Sequence, residues 1–325
     1  MSLFFSVVVP VYNRPQEIQE FLESVKNQDY RDFEVLVIED GSSVDCKAIV
    51  ERYEPHFQLQ YFYKPNSGQG PSRNFGFERA RGDYFLVFDS DVILPPNYLA
   101  LVNAALAKEG FDAFGGPDAA HPDFDDLQKA TTYAMTSLFT TGGIRGGKKA
   151  DAKFQPRSFN MGLSRAVWEK TGGFQLERLS EDIDLSIRMR AAGFKVGLIP
   201  EAWVYHKRRT SLKQFFRQVF AFGHGRWILS ALHPGQLKAI HFMPACFVLG
   251  LLFSFSTYFW WPEVFPFFLV CILMWYLAIF IDAGRHYRSV KVGALSMITS
   301  TVQLGGYGLG FIRGGFRKIL GRKIY

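Results

Sequence analysis

The chain has 325 residues, 48% hydrophobic and 16% aromatic, enough for one large or two ordinary domains with a substantial core, which excludes a disordered chain. Its three cysteines, Cys46, Cys246 and Cys271, are too few and too scattered for a disulfide framework or a zinc knuckle, and a reducing compartment is the default reading. The net charge of +7 is unevenly spread: residues 202–325 hold 15 Lys and Arg against Glu263 and Asp282, leaving 22 basic and 28 acidic side chains before them, so the positive charge accompanies the longest apolar runs and favours an anionic membrane surface or lipid phosphate over DNA.

Met1 to Val11 contains the β-branched run Val7-Val8-Val9, ended by Pro10, and reads as a buried first strand rather than a signal peptide. Residues 15–27 have helical spacing, Phe33 to Ile38 is a second buried strand, and Leu59 to Tyr63 and Tyr84 to Phe88 are further short apolar runs. Helical patterns fall at 44–53, 71–80 and 96–108. Strands alternating with helices imply an α/β domain with a mostly parallel sheet, whose ligands lie beyond the carboxyl ends of the strands. Two acidic clusters occupy such ends, Glu39-Asp40-Gly41-Ser42-Ser43 and Asp89-Ser90-Asp91. The region 110–160 reads as irregular, with Gly115-Gly116-Pro117, Gly142-Gly143 and Gly146-Gly147 around a helix at 126–139.

Residues 211–238, with cations on a segment of aromatic and apolar residues, read as an interfacial amphipathic helix. From Ile240 to Ile281 the only formally charged residue is Glu263, and Pro262-Glu263 divides the stretch into two spans, 242–261 and 264–281, each long enough to cross the hydrocarbon core. A helical hairpin in a membrane is expected, with Tyr258, Trp260 and Trp261 as an interfacial belt. Segment 292–311 is weaker, carrying Ser296, Thr299, Ser300, Thr301, Gln303 and several glycines. A third crossing there would place Arg313, Arg317, Lys318, Arg322 and Lys323 opposite Arg285, Arg288 and Lys291, against the positive-inside rule. We expect a third apolar helix in contact with the membrane and leave its crossing open.

Asp89-Ser90-Asp91 ends a buried strand with two carboxylates two residues apart, and hard cations such as Mg²⁺ and Mn²⁺ prefer oxygen ligands. Alone, D-x-D also marks solvated turns. It stands here with Val8-Val9-Pro10-Val11-Tyr12-Asn13-Arg14, Glu39-Asp40-Gly41-Ser42, Arg73-Asn74-Phe75-Gly76 and Ser180-Glu181-Asp182-Ile183-Asp184-Leu185. In order and spacing this series resembles the inverting glycosyltransferases of family 2, over residues 4–210. The resemblance implies a GT-A (Rossmann-like) catalytic domain over 1–210, the basic interfacial region over 211–238, and a C-terminal helical membrane domain over 239–325.

It also implies roles. Pro10, Tyr12 and Arg14 would line the nucleotide pocket, Asp40 would contact base or ribose, and Arg73 and Asn74 would complete that wall. Asp91 would bind a metal, Mn²⁺ or Mg²⁺, while Asp89 would contact the sugar-nucleotide and share in the metal site. Asp182 would be the catalytic base, with Glu181 and Asp184 supporting it. The other reading of that run is the acidic first turn of an amphipathic helix. Phe159-Asn160-Met161-Gly162-Leu163 and Thr171-Gly172-Gly173-Phe174 resemble the acceptor-side segment, with Asn160, Gly162 and Glu181 its candidate residues, although Gly172-Gly173 equally reads as a helix C-cap. His206 is a candidate metal or diphosphate contact, a structural histidine being the competing reading. Gln214 and Arg217 echo the Q-x-x-R-W signature of processive members, with Gln218 in place of Trp; this leaves Arg217 a candidate diphosphate contact and argues against a processive enzyme.

The function so implied is transfer of a sugar from a nucleotide-sugar donor, a UDP-sugar by preference, to a lipid-linked acceptor in cell-envelope polysaccharide or glycolipid synthesis. The location implied is a bacterial inner membrane with the catalytic domain cytoplasmic. Transfer to polyprenyl phosphate and a non-catalytic membrane-tethered scaffold are the alternatives. A sugar nucleotidyltransferase would need a glycine-rich basic loop where this chain has Pro10-Val-Tyr-Asn-Arg14.

Overall fold

The computed structural model describes residues 2–119, 121, 124–142, 154–207 and 210–323. It divides into two compact units, Met1–His121 with Lys148–Lys207, and Pro122–Gly147 with Arg208–Tyr325. The chain runs through β1 (Phe5–Val11), α1 (Pro15–Lys26), β2 (Phe33–Asp40), α2 (Lys47–Val50), β3 (Gln58–Lys64), α3 (Gln69–Phe77), β4 (Tyr84–Phe88), β5 (Val92–Ile93), α4 (Tyr98–Glu109), β6 (Ala113–Gly115) and β7 (Asp118–Ala119) in the first unit. It then enters the second through α5 (Asp126–Thr136) and α6 (Leu138–Thr141), and returns as β8 (Asn160–Ser164), α7 (Arg165–Thr171), α8 (Glu181–Ala191), β9 (Val196–Leu198) and β10 (Val204–His206).

Seven strands form one sheet in the order β3-β2-β1-β4-β8-β6-β9, and only β8 runs antiparallel to its neighbours. The mostly parallel sheet expected from the sequence is the observed one. β1 and β2 are covered on both faces, which explains their unbroken apolar runs. Helix α1 begins with Pro15, whose missing N–H costs nothing there, and turns Ile18, Phe21, Leu22 and Val25 inward at helical spacing.

Three expectations shift. Pro10 does not end β1: pairing with β4 stops at Val8 while pairing with β2 continues to Val11, so the residue without a donor sits where one flank is already released. Strand β2 runs on through Glu39 and Asp40, both buried. The region 110–160 contains β6 and β7, of three and two residues, too short for an alternating pattern to register. Gly143, Gly146 and Gly147 lie outside the described residues.

In the second unit, α9 (Leu212–Leu232), α10 (Met243–Trp260), α11 (Phe265–Tyr287) and α12 (Val290–Ile319) follow α5 and α6. The stretches Ala239–Trp260 and Phe265–Tyr287 are long and apolar enough to cross a membrane. Helix α9 buries one face against α12, and its stripe of Phe215, Val219, Gly223, Ile228 and Leu229 is buried. A Cβ on Gly223 would lie 2.0 Å from the Tyr307 carbonyl oxygen, so the glycine permits the two backbones to approach. Ser296, Thr299, Ser300 and Gln303 of α12, which weaken it as an apolar span, are buried, and the Thr299 hydroxyl donates to the Ala130 carbonyl of α5 at 2.9 Å. Arg208 and Arg209 lie outside the described residues.

Candidate active site

The site lies at the carboxyl ends of β1, β2 and β4, where a parallel sheet leaves space for ligands. After β1, Asn13 adopts a left-handed backbone with φ 52°. Its side-chain oxygen accepts from the backbone N–H groups of Ser43 and Val44 at 2.9 and 3.2 Å, and its own N–H donates to the Ser42 hydroxyl at 2.7 Å, tying the loop after β1 to the loop after β2. Glu39 completes the tie from beneath: fully buried, it accepts from the Cys46 N–H at 2.8 Å and from the Ser42 hydroxyl. Burial and the adjacent Glu39 push the Cys46 thiol far up, so it is an inert core residue.

Asp40 is buried and its carboxylate is already engaged. It accepts from Lys64 Nζ at 2.5 Å and from the Ser67 and Gly68 N–H groups at 2.9 Å each, which folds the turn leading into α3. Gly41 makes this turn possible, since at φ +73° a Cβ would sit 2.5 Å from the Asn66 nitrogen. Tyr12 is exposed, and Pro10 is partly buried at the end of β1.

Asp89 and Asp91 follow β4, and His206 reaches them through a second sheet of order β5-β10-β7. β5 begins directly after Asp91 and pairs antiparallel with β10, setting His206 opposite Val92, while the Lys207 N–H donates to the Asp91 carbonyl at 3.0 Å. One ligand atom from each of Asp89, Asp91 and His206 lies within 4.8 Å of the others. The His206 Nε2 is 3.2 Å from one Asp91 oxygen, Arg14 donates to the other at 2.5 Å, and Phe159 stacks on the imidazole with centroids 4.7 Å apart. The His206 Nδ1 is buried with no hydrogen-bond partner among the described residues. Two carboxylates and an imidazole that converge in this way fit Mn²⁺ or Mg²⁺ by donor chemistry.

Arg73, on α3, has no exposed surface. One guanidinium nitrogen donates to Asp89 at 2.7 Å and the other to Glu181 at 2.9 Å. Glu181 opens α8 after Ser180, itself left-handed with φ 64°. It also accepts from Gln69 at 2.5 Å and Ser158 at 3.3 Å. Burial and then the neighbouring Asp182 push its carboxyl above the ordinary range, against the pull of Arg73. Asp182 keeps some exposure, accepts from the Ile183 N–H at 2.8 Å and has Arg157 3.5 Å away. A partly exposed carboxylate is chemically able to receive a proton.

The other expected residues of the first unit occupy other places in it. Asn160 is buried within the sheet, its amide spent on the Ala202 carbonyl at 2.8 Å and the Tyr98 hydroxyl at 2.5 Å. Gly162 lies under the Phe114 ring, where a Cβ would be 2.0 Å from Cε1. Both are interior residues of β8. Asn74 closes a two-way pair with the Phe174 backbone at 2.7 and 2.9 Å, holding the Gly172-Gly173 turn. Asp184 pairs with Arg188 at 2.7 Å, which in turn donates to the Thr171 and Gly173 carbonyls. Arg217 is on α9, in the second unit. Asn13, Glu39 and Phe159 stand inside the motifs quoted above without a role of their own, and Lys64, Gln69 and Arg157 were not singled out by sequence; of these, a charged Lys64 at the end of a parallel strand offered a signal.

A sheet of this order, with an acidic pair after its fourth strand and a second carboxylate pair opening a helix across a shared arginine, defines a GT-A fold. The chain belongs to glycosyl transferase family 2, whose family model matches residues 6–170. It is 25% identical over 273 residues to the probable glycosyltransferase YdaM of Bacillus subtilis (strain 168), covering 78% of this chain and 62% of that one. It is 35% identical over 89 residues to the GalNAc(5)-diNAcBac-PP-undecaprenol beta-1,3-glucosyltransferase of Campylobacter jejuni, 26% of this chain and 29% of that one. An uncharacterized glycosyltransferase of Rickettsia bellii is 40% identical over 106 residues, and the match spans 15% of its length. Among solved structures, the mannosyltransferase PcManGT from Pyrobaculum calidifontis, in complex with GDP-Man and Mn²⁺, superposes with a TM-score of 0.60 at 19% identity, covering 99% of this chain and 89% of its own.

Proposed function

We propose that the protein is a membrane-bound inverting glycosyltransferase that moves one sugar from a nucleotide-sugar donor to a lipid-linked acceptor. The observation that carries this reading is the pairing of a carboxylate–imidazole group, Asp89, Asp91 and His206, with the Glu181-Asp182 pair through the single buried guanidinium of Arg73. The solved neighbour's GDP-Man and Mn²⁺, the Campylobacter relative's undecaprenol-linked name and the two apolar helices support donor, metal, acceptor class and membrane respectively.

In this reading Asp182 accepts the proton of the acceptor hydroxyl as that oxygen bonds to the anomeric carbon. The bond from that carbon to the diphosphate oxygen breaks on the opposite face, and the nucleoside diphosphate leaves with the electron pair. One displacement inverts the configuration and needs no covalent intermediate. Held by Asp89, Asp91 and His206, Mn²⁺ or Mg²⁺ would neutralise the charge gathering on the diphosphate. Arg14, beside Asp91 and partly exposed, supplies a second positive charge on that side.

The test is to incubate the full chain in lipid vesicles with radiolabelled nucleotide sugars and bacterial lipid extract. Label entering the organic phase, with the anomeric configuration of the product opposite to the donor's by NMR, is expected. A product with retained configuration, or label that stays entirely water-soluble, contradicts the proposal.

A further inference from the structure

Helices α10 and α11 are antiparallel: Phe247 meets Trp275 with ring centroids 5.3 Å apart, Phe253 meets Phe268 at 5.8 Å and Tyr258 meets Phe265 at 5.4 Å. One end of the hairpin is therefore formed by residues 242–248 and 275–283, and the other by Trp260 to Phe265. Four contacts place α12 along this ruler. The Cβ position of Gly293 is 2.8 Å from the Phe280 carbonyl, the Thr301 hydroxyl is 2.8 Å from that of Tyr276, the Cβ position of Gly308 is 2.2 Å from the Pro244 carbonyl, and the Phe311 ring is 4.9 Å from Phe242. All four fall at the first end. From Gly293 to Phe311 the helix advances about 27 Å at 1.5 Å per residue, yet its hairpin partners stay within about one turn of the same level. A helix that does this lies across its neighbours, close to perpendicular. Helix α9 runs alongside it, with Val219, Phe220 and Trp227 against Gly306, Gly310 and Gly314.

The surface of α12 is inverted relative to a water-facing helix. Ser296, Thr299, Ser300 and Gln303 are buried, while Ala294, Ile298, Leu309, Phe316 and Leu320 are exposed at spacings that keep them on one face. At 100° per residue Lys291 falls within that stripe and pairs with Asp126 at 2.8 Å, Arg313 lies at its edge over the Phe220 ring, and Lys318 lies on the far side over the Trp227 ring. Apolar area left in water costs about 25 cal/mol per Å². A continuous exposed apolar stripe with Arg313 at its edge matches the boundary between acyl chains and anionic headgroups.

We infer that α12 lies in the plane of the bilayer surface, with this stripe in the acyl–headgroup boundary and Arg313, at its edge, at the level of the lipid phosphates. The chain then crosses the membrane twice, and its C-terminal cations stay on the side of Arg285, Arg288 and Lys291, which removes the conflict with the positive-inside rule. The inference rests on the membrane reading of α10 and α11.

The test uses the full chain with Cys246→Ser and Cys271→Ser, the buried Cys46 being kept. Nitroxide labels at Ile298→Cys, Leu309→Cys and Phe316→Cys, in phosphatidylethanolamine–phosphatidylglycerol vesicles, are expected to read one common shallow depth, with Leu252→Cys on α10 deeper. In right-side-out and inside-out bacterial vesicles, Lys291→Cys and Lys323→Cys are expected to react with an impermeant maleimide from one face and Glu263→Cys from the other. Leu309→Cys deepest of its three, with Lys323→Cys reacting from the face of Glu263→Cys, overturns the inference. Release of the protein by alkaline carbonate, with Leu252→Cys reading as water-exposed, overturns the membrane reading itself and the inference with it.

Discussion

Asp89 and Glu181 hold opposite ends of one guanidinium: Arg73, with no exposed surface, donates to the first at 2.7 Å and to the second at 2.9 Å. The carboxylate that ends β4 and the one that opens α8 are thereby fixed relative to each other, although 92 positions separate them in sequence. Removing Arg73 leaves the buried Glu181 without its cation. We expect Arg73→Met to lower unfolding stability by about 3–5 kcal/mol, the cost of breaking a buried pair by deleting one partner. Arg73→Lys cannot bridge both carboxylates and is expected to fall between Met and wild type. Denaturant midpoints of the three proteins check this order.

Asp91 and Asp182 are expected to fail differently. Asp91→Ala should weaken metal-dependent binding of the nucleotide sugar, whereas Asp182→Asn should leave it unchanged and lower kcat by roughly 10²- to 10⁴-fold, the usual worth of a general base. Donor titration by calorimetry alongside turnover separates the two. Equal loss of donor affinity in both variants refutes the division.

The raised Glu181 carboxyl carries a pH signature. A group that holds its proton more tightly when folded stabilises the fold at low pH, and that contribution declines as pH rises from the ordinary carboxylate value of 4.5 toward the raised folded one. Glu181→Gln cannot titrate, so the stability of wild type relative to this variant is expected to fall as pH rises from 4.5 toward neutrality. Thermal midpoints of both proteins across that range report it, and a difference that grows with pH contradicts the assignment.

The contact of α9 with α12 depends on Gly223. Alanine there brings a Cβ to 2.0 Å from a backbone oxygen, and overpacking of this kind costs about 1–3 kcal/mol. Gly250→Ala, where a Cβ meets nothing within 4 Å, is the control and should be neutral. Unfolding of both variants in detergent gives the comparison.

The sequence made the first half of the sheet legible because β1, β2 and β4 are covered on both faces and so read as continuous apolar runs, each ending in polar residues at the ligand edge. All three residues of the candidate metal group were named from the resemblance, but their convergence was not legible from spacing alone. Asp89 and Asp91 announce themselves by spacing, but His206 joins them through the pairing of two- and three-residue strands, which leave no periodic trace. That Arg73 is fully buried between Asp89 and Glu181 was not legible, since a motif identifies a position and not the direction of its side chain. The motif likewise did not foretell that the Asn160 amide bonds inside β8, to the Ala202 carbonyl and the Tyr98 hydroxyl. Helix α12 resisted classification because its polar residues pack inward, the reverse of the pattern used to recognise soluble helices.

The most direct test of the account is release of nucleoside diphosphate by the detergent-purified full chain, supplied with bacterial lipid extract and a panel of UDP-, GDP- and dTDP-sugars, first with Mn²⁺ and then with EDTA. Release from one donor, abolished by EDTA and by Asp182→Asn, is the predicted result. Release that is indifferent to EDTA, or its absence with every donor while a nucleotide sugar still binds, would contradict it.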